Sequence, residues 1–197
     1  MRNLPLRFSG IETLHILIST VGVGLAFSIA YQINILIALL TIGIGFVIHE
    51  IAHKIVAQHY GCFAEFRADF RMLILAVLLS LLGVVFAAPG AVIILNSRPM
   101  KKREIGSIAS AGPLANIILA LFFLVLLLSS TSLQVKAFAS AALTVNAWLS
   151  LFNMLPFFNF DGRKVFYWSR TAFAVMLAAS LILLIISEFF ISVPTAI

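Results

Sequence analysis

The chain has 197 residues, of which 62% are hydrophobic and 10% charged, and its mean hydropathy is +1.15. A soluble domain carries about a quarter of charged residues, so this balance excludes one and predicts a polytopic membrane protein with length for a single compact bundle. The single cysteine, Cys62, excludes an intrachain disulfide.

Arg2 and Arg7 precede the first apolar run, Ile11 to Tyr31, and with no small-residue cleavage site after it the run reads as a retained span. The second run, Ile33 to Gln58, contains F-V-I-H-E-I-A-H from Phe46 to His53. On a helix, His49 and His53 stand one above the other on one face with Glu50 adjoining them. Two neutral imidazoles at this spacing can bind one Zn²⁺, and the neighbouring carboxylate is placed to take a proton from water. His49 then lies about 14 Å in from the Gln58 end. His59, before Tyr60-Gly61, marks the watery helix end, and Cys62 reads as a small residue near the surface.

The third run, Met72 to Leu95, is interrupted by Pro89-Gly90, a turn signal inside apolar sequence. A helix from Met72 to Phe86 of about 22 Å, followed by an extended return from Gly90, predicts a segment that enters and comes back instead of crossing. Counted that way, twelve of the thirteen Lys and Arg residues fall on one side, all but Lys136. That side is then cytoplasmic. The net charge of +6 needs no nucleic-acid partner to explain it.

Ser107 to Ser130 opens with A-S-A-G-P-L-A-N, whose small residues let another backbone approach, while Asn116 wants a partner across the bundle or on a ligand. Ala137 to Phe152 is sixteen residues, about 24 Å as helix and short of the roughly 30 Å hydrocarbon core. Pro156 follows, so N-M-L-P-F-F-N-F-D-G, Asn153 to Gly162, is expected to unwind at membrane depth. Asp161 lies in that piece, and a carboxylate in apolar surroundings usually faces a partner or a polar cavity. On the returning topology it enters the same half of the membrane as His49. Two His and one Asp with an open fourth position make a catalytic zinc site. Thr171 to Ser192 is the last span. The predicted fold class is therefore an all-α polytopic membrane protein, a bundle of five to six transmembrane helices with a helix/strand hairpin before the G-P-L-A-N span.

H-E-I-A-H at 49–53, G-P-L-A-N at 112–116 and N-M-L-P-F-F-N-F-D-G at 153–162, in that order on successive spans, resemble the site-2 protease family of intramembrane zinc metalloproteases over about Ile33 to Arg170. The resemblance implies His49, His53 and Asp161 as ligands of one Zn²⁺ per chain, Glu50 as the catalytic base, and Asn153 as a residue that holds the substrate or orients the site. Asn159 stands where the family pattern N-x-x-P-x-x-P-L-D-G has its second Pro, and Phe160 where it has Leu. The implied organisation is a single protease domain over 1–197, with a core over 33–170 and peripheral spans at 11–31 and 171–192. It would hydrolyse peptide bonds in transmembrane segments of membrane-protein substrates, in contact with the lipid bilayer and with its site opening to the cytoplasm. Asn116, and Val92 and Ile93 on the return strand, are the further expected substrate contacts, because an unwound substrate can pair with a strand edge. The competing classes are a divalent-metal transporter and a non-catalytic membrane-segment binder. No pair of corresponding broken spans marks a transporter, and intact His49, Glu50, His53 and Asp161 speak against a silent binder.

Overall fold

The computed structural model describes residues 7–85, 89–95 and 98–192. Among them the order is α1 (Gly10–Tyr31), α2 (Ile35–His59), β1 (Phe63–Ala68), α3 (Phe70–Ser80), β2 (Gly90–Leu95), α4 (Lys102–Ser129), α5 (Leu133–Asn153), α6 (Asp161–Trp168) and α7 (Arg170–Ser192). Five helices, α1, α2, α4, α5 and α7, are long and apolar enough to cross a bilayer. The chain is thus a helical multi-pass membrane protein, as its composition predicts. Its contacts divide it into two compact units, Met1–Glu104 and Ile105–Ile197.

In the first unit the Ser9 hydroxyl caps α1 by accepting the Glu12 N–H at 3.0 Å, and Asn34 starts α2 by accepting the Leu36 N–H at 2.8 Å. Small residues bring these two helices together. A Cβ on Gly24 would stand 2.6 Å from Leu39, and one on Gly43 would stand 3.2 Å from Thr20. After α2 the chain makes an excursion that closes on itself. Strands β1 and β2 pair antiparallel from Phe63 opposite Leu95 to Ala68 opposite Gly90, and the Asp69 N–H donates to the Pro89 carbonyl at 2.9 Å. Leu95 therefore returns to the level of Phe63, where the excursion began, so the expected hairpin in place of a crossing is what the chain forms.

Its details differ from the sequence reading. The helix stops at Ser80 instead of running to Phe86, a residue outside those described. Gly83 is the reason. At φ 76° it takes the left-handed conformation that ends helices, with its N–H on the Ser80 carbonyl at 3.0 Å and the Val84 N–H on that of Leu79 at 3.2 Å. Strand β1 was not expected at all. A second left-handed requirement falls at Gly90, at φ 157°, where a Cβ would also meet the Arg67 carbonyl oxygen at 2.2 Å.

The second unit is built on α4, α5 and α7, whose core includes Ala120, Phe123, Ala142, Leu143 and Leu183. The Ser150 hydroxyl donates to the Pro113 carbonyl at 3.0 Å and lies 2.7 Å from that of Ser180, fastening the three helices with polar groups inside apolar packing. Helix α5 corrects the sixteen-residue span. It begins at Leu133, takes Gln134 and Lys136 into its first turns, and reaches 21 residues, about 31 Å. A polar residue at a helix end does not stop the helix, so α5 is long enough to span on its own, while the break still falls in the expected stretch, between Asn153 and Asp161.

Candidate metal centre

Helix α2 carries His49, Glu50 and His53 through the spacing expected, all three buried. The imidazoles meet edge to face, with centroids 4.7 Å apart and planes at 78°, and their Nε2 atoms converge to 3.0 Å. A tetrahedral ion held at about 2.05 Å by both nitrogens would separate them by about 3.3 Å. The pair is therefore within a few tenths of an ångström of the bite a zinc ion needs, and one neutral tautomer can meanwhile donate to the other. Glu50, the next residue along, is buried beside His49.

Lys54, next to His53, is 2% exposed. Its ammonium lies over the Phe8 ring, 4.2 Å from the centroid, and donates at 2.5 Å to Glu12 of α1, itself buried. Each of two consecutive apolar spans thus contributes one charge of opposite sign. That complementarity is legible in the sequence, but it is hidden when Lys54 is counted with the basic residues of the cytoplasmic side.

Val92 and Ile93 lie on β2 and play different backbone roles. The Phe66 and Ala68 N–H groups of β1 point to α1, where Glu12 Oε1 accepts the first at 3.0 Å and His15 Nδ1 the second at 3.1 Å. The intervening residues of β1 must then face β2. Ile93, opposite Glu65, spends its N–H in the ladder, whereas Val92, opposite Phe66, turns its N–H to the outer edge. The exposed face of the sheet carries Phe63, Ile93 and Leu95, and its other face packs on α2 through Phe66, whose ring meets that of Phe46 edge to face at 5.5 Å. Phe46 stands one turn before Glu50. Cys62, expected near the surface, is buried beside Met100, with its sulfur 3.8 Å from the thioether. Burial, and secondarily the Glu104 carboxylate, push its thiol pKa up against the opposing Arg98, which keeps it a thiol and not a nucleophile.

In the second unit Asp161 opens α6, where the sequence reading had it inside unwound chain. The loop from α5 turns at Pro156 and at Phe158, whose φ is 50°, and delivers Asp161 with Lys164 Nζ 3.7 Å from Oδ1. Gly162 is what permits this. A Cβ there would meet the Met154 carbonyl oxygen at 2.1 Å, so the start of α6 lies directly on the end of α5. Asn153 ends α5 with its amide donating to the Leu149 carbonyl at 2.9 Å. Asn116 is fully buried and donates at 2.9 Å to Asn146 Oδ1, a partner the sequence reading had not named.

A multi-pass helical protein that presents a buried H-E-x-x-H pair on a spanning helix, together with an Asp at a helix start, has the donor chemistry of an integral-membrane metalloenzyme. The chain is 38% identical over 174 residues to a protein of Methanocaldococcus jannaschii described as a "putative zinc metalloprotease", a match that covers 86% of this chain and 91% of that one. It belongs to the family of that archaeal protein. No protein-family profile and no solved structure matches it.

Proposed function

We propose that the chain is an intramembrane zinc metalloprotease of the site-2 protease type, cutting peptide bonds in transmembrane segments of its substrates. The observation that carries this reading is the convergence of the two buried His Nε2 atoms to 3.0 Å on a membrane-spanning helix, with a carboxylate beside them. His49, His53 and Asp161 would hold one Zn²⁺, leaving a fourth position open. Bound there, the ion supplies Lewis-acid polarisation of the scissile carbonyl and lowers the pKa of water toward 7. Glu50 accepts the proton that water gives up and returns it to the leaving amine. Asn153, at the end of α5, orients the reacting segment.

A helical substrate hides its carbonyls in its own hydrogen bonds, so it must be extended to be cut. The outer edge of β2 offers a template for that extension, because the Val92 N–H faces outward while the corresponding edge of β1 is already taken by α1. With five crossings and a returning excursion, the basic side is the one onto which α2 ends. By the positive-inside rule the site opens to the cytoplasm.

The test uses detergent-purified protein, wild type beside Glu50→Gln, with a synthetic single-span peptide as substrate and bound zinc quantified in both. One zinc in each, with cleavage by wild type alone, is the expected result. Zinc in both with equal cleavage removes Glu50 from the chemistry, and zinc in both with zinc transport into liposomes in place of cleavage replaces the protease with a transporter.

A further inference from the structure

One face of α1 is polar at positions i, i+3 and i+7, the spacing of a helical stripe, where Glu12, His15 and Ser19 stand. Glu12 and His15 take two of the outward N–H groups of β1, those of Phe66 and Ala68, as described above, and the Ser19 hydroxyl donates to the Pro89 carbonyl at 3.3 Å. Side chains of a spanning helix, not a further strand, thus close this edge of the sheet and the entry to β2. Glu12 does one thing more. While its Oε1 accepts the Phe66 N–H, its Oε2 accepts from Lys54 on α2. A single carboxylate, 1% exposed, joins α1, the edge strand and the H-E-x-x-H helix at one point.

Stability alone does not account for that joint, since a buried ion pair exchanged for apolar residues of like volume is often neutral or better. What a carboxylate with each oxygen committed to a different donor adds is geometry. On one branch Lys54 lies four residues from Glu50, on the same helix face. On the other, Phe66 stands directly across the sheet from Val92, whose N–H faces the open edge.

We propose that Glu12 is a positioning residue for the reaction. Through Lys54 and Phe66 it fixes the height of the β2 edge against the helix that carries Glu50, so that a peptide paired on the edge presents one particular bond. The proposal rests on the strand-pairing reading given above.

Removing one partner strands a buried charge, so the pair is exchanged together. Glu12→Leu/Lys54→Met removes both ties, and Glu12→Gln/Lys54→Met keeps an acceptor for the Phe66 N–H. The probe is a synthetic peptide with one Leu/Ala span of about 20 residues, interrupted by Asn-Gly. Products are identified by mass spectrometry, beside zinc content and amide hydrogen exchange over residues 63–68. Both doubles should hold zinc as the wild type does. The Leu/Met double should exchange faster in β1, spread its cuts from one bond to the neighbouring ones, and lose about tenfold or more in kcat, as a displacement approaching 1 Å implies. The Gln/Met double should restore the single cut in part. A Leu/Met double with wild-type exchange, cleavage position and kcat overturns the proposal. So does loss of zinc from both doubles, which would assign the pair to the folding of α2. If the wild type holds zinc and leaves the peptide uncut, the proteolytic reading has failed separately, and unchanged protection of the Phe66 amide in the Leu/Met double then overturns the clamp itself.

Discussion

Gly162→Ala is the substitution whose effect the backbone geometry fixes most tightly. The added Cβ would lie 2.1 Å from the Met154 carbonyl oxygen and 2.3 Å from its carbon, where ordinary contact begins at 3.4 Å. The two backbones must therefore separate by about 1.3 Å, the difference between 3.4 and 2.1 Å, and no flexible side chain stands between them to absorb the move. Met154 is fully buried and its N–H is held by the Ser150 carbonyl at 3.0 Å and the Leu151 carbonyl at 3.1 Å. The displacement consequently falls on the first turn of α6, whose first residue is Asp161. Overpacking of this kind costs about 1–3 kcal/mol of stability. A misplacement near 1 Å at a reacting group costs roughly a hundredfold in rate. The assay is peptide cleavage, zinc per chain and the thermal midpoint in detergent, with Gly10→Ala as the control because nothing lies within 4 Å of a Cβ there. The expected result is a folded Gly162→Ala protein with much reduced kcat and weakened zinc retention beside an unaffected Gly10→Ala. Wild-type zinc and kcat in Gly162→Ala would refute the reasoning that this glycine sets the position of Asp161.

Two further outcomes follow from the same geometry. Asn116→Leu removes the buried amide bond to Asn146 and should cost about 0.6–1.7 kcal/mol by thermal unfolding, with Asn116→Leu/Asn146→Leu recovering part of it; a raised KM at unchanged stability would instead make Asn116 a substrate contact. Val92→Pro should leave the sheet intact while raising KM, since it deletes an outward N–H, whereas Ile93→Pro should disrupt the ladder opposite Glu65 and lower stability. Equal effects of the two prolines on stability would show that the edge assignment is wrong.

The parts of the fold legible in the sequence were those that a bilayer dictates. Long apolar runs had to be helices, and Pro89-Gly90 inside one had to be a turn. Strand β1 was hidden because F-A-E-F-R-A alternates only weakly and its partner lies across the whole of α3. Pairing of that kind depends on a contact distant in sequence, which local periodicity does not carry. The length of α5 was misjudged for a related reason. A hydropathy boundary was set at Lys136, but a lysine near a helix end can reach the interface along its own side chain, so polarity and helix end need not coincide.

At the candidate site, the residues that sequence reasoning singles out are those whose chemistry is local: His49, Glu50 and His53 fall within five positions, and Asp161 stands out as a carboxylate after a break. The residues it missed are polar groups whose sense depends on a second segment. Glu12, His15 and Ser19 are single polar residues in an apolar run, and nothing near them in the sequence shows what they pair with. Their common purpose emerges only once the sheet lies beside them: Glu12 and His15 accept edge N–H groups of β1 that would otherwise be left unpaired, and the Ser19 hydroxyl donates to the Pro89 carbonyl at the entry to β2. The same logic separates the asparagines. Asn116 donates to Asn146, whose own amide donates to the Ala142 carbonyl, so the pair is held inside the helix packing, as an amide in an apolar setting must be. A polar side chain in a span is therefore better read by asking which backbone or amide at the same depth lacks a partner than by asking first which ligand it would bind. Applied to α1, that question leads from a lone buried glutamate to the edge strand and on to the helix that bears the candidate metal ligands.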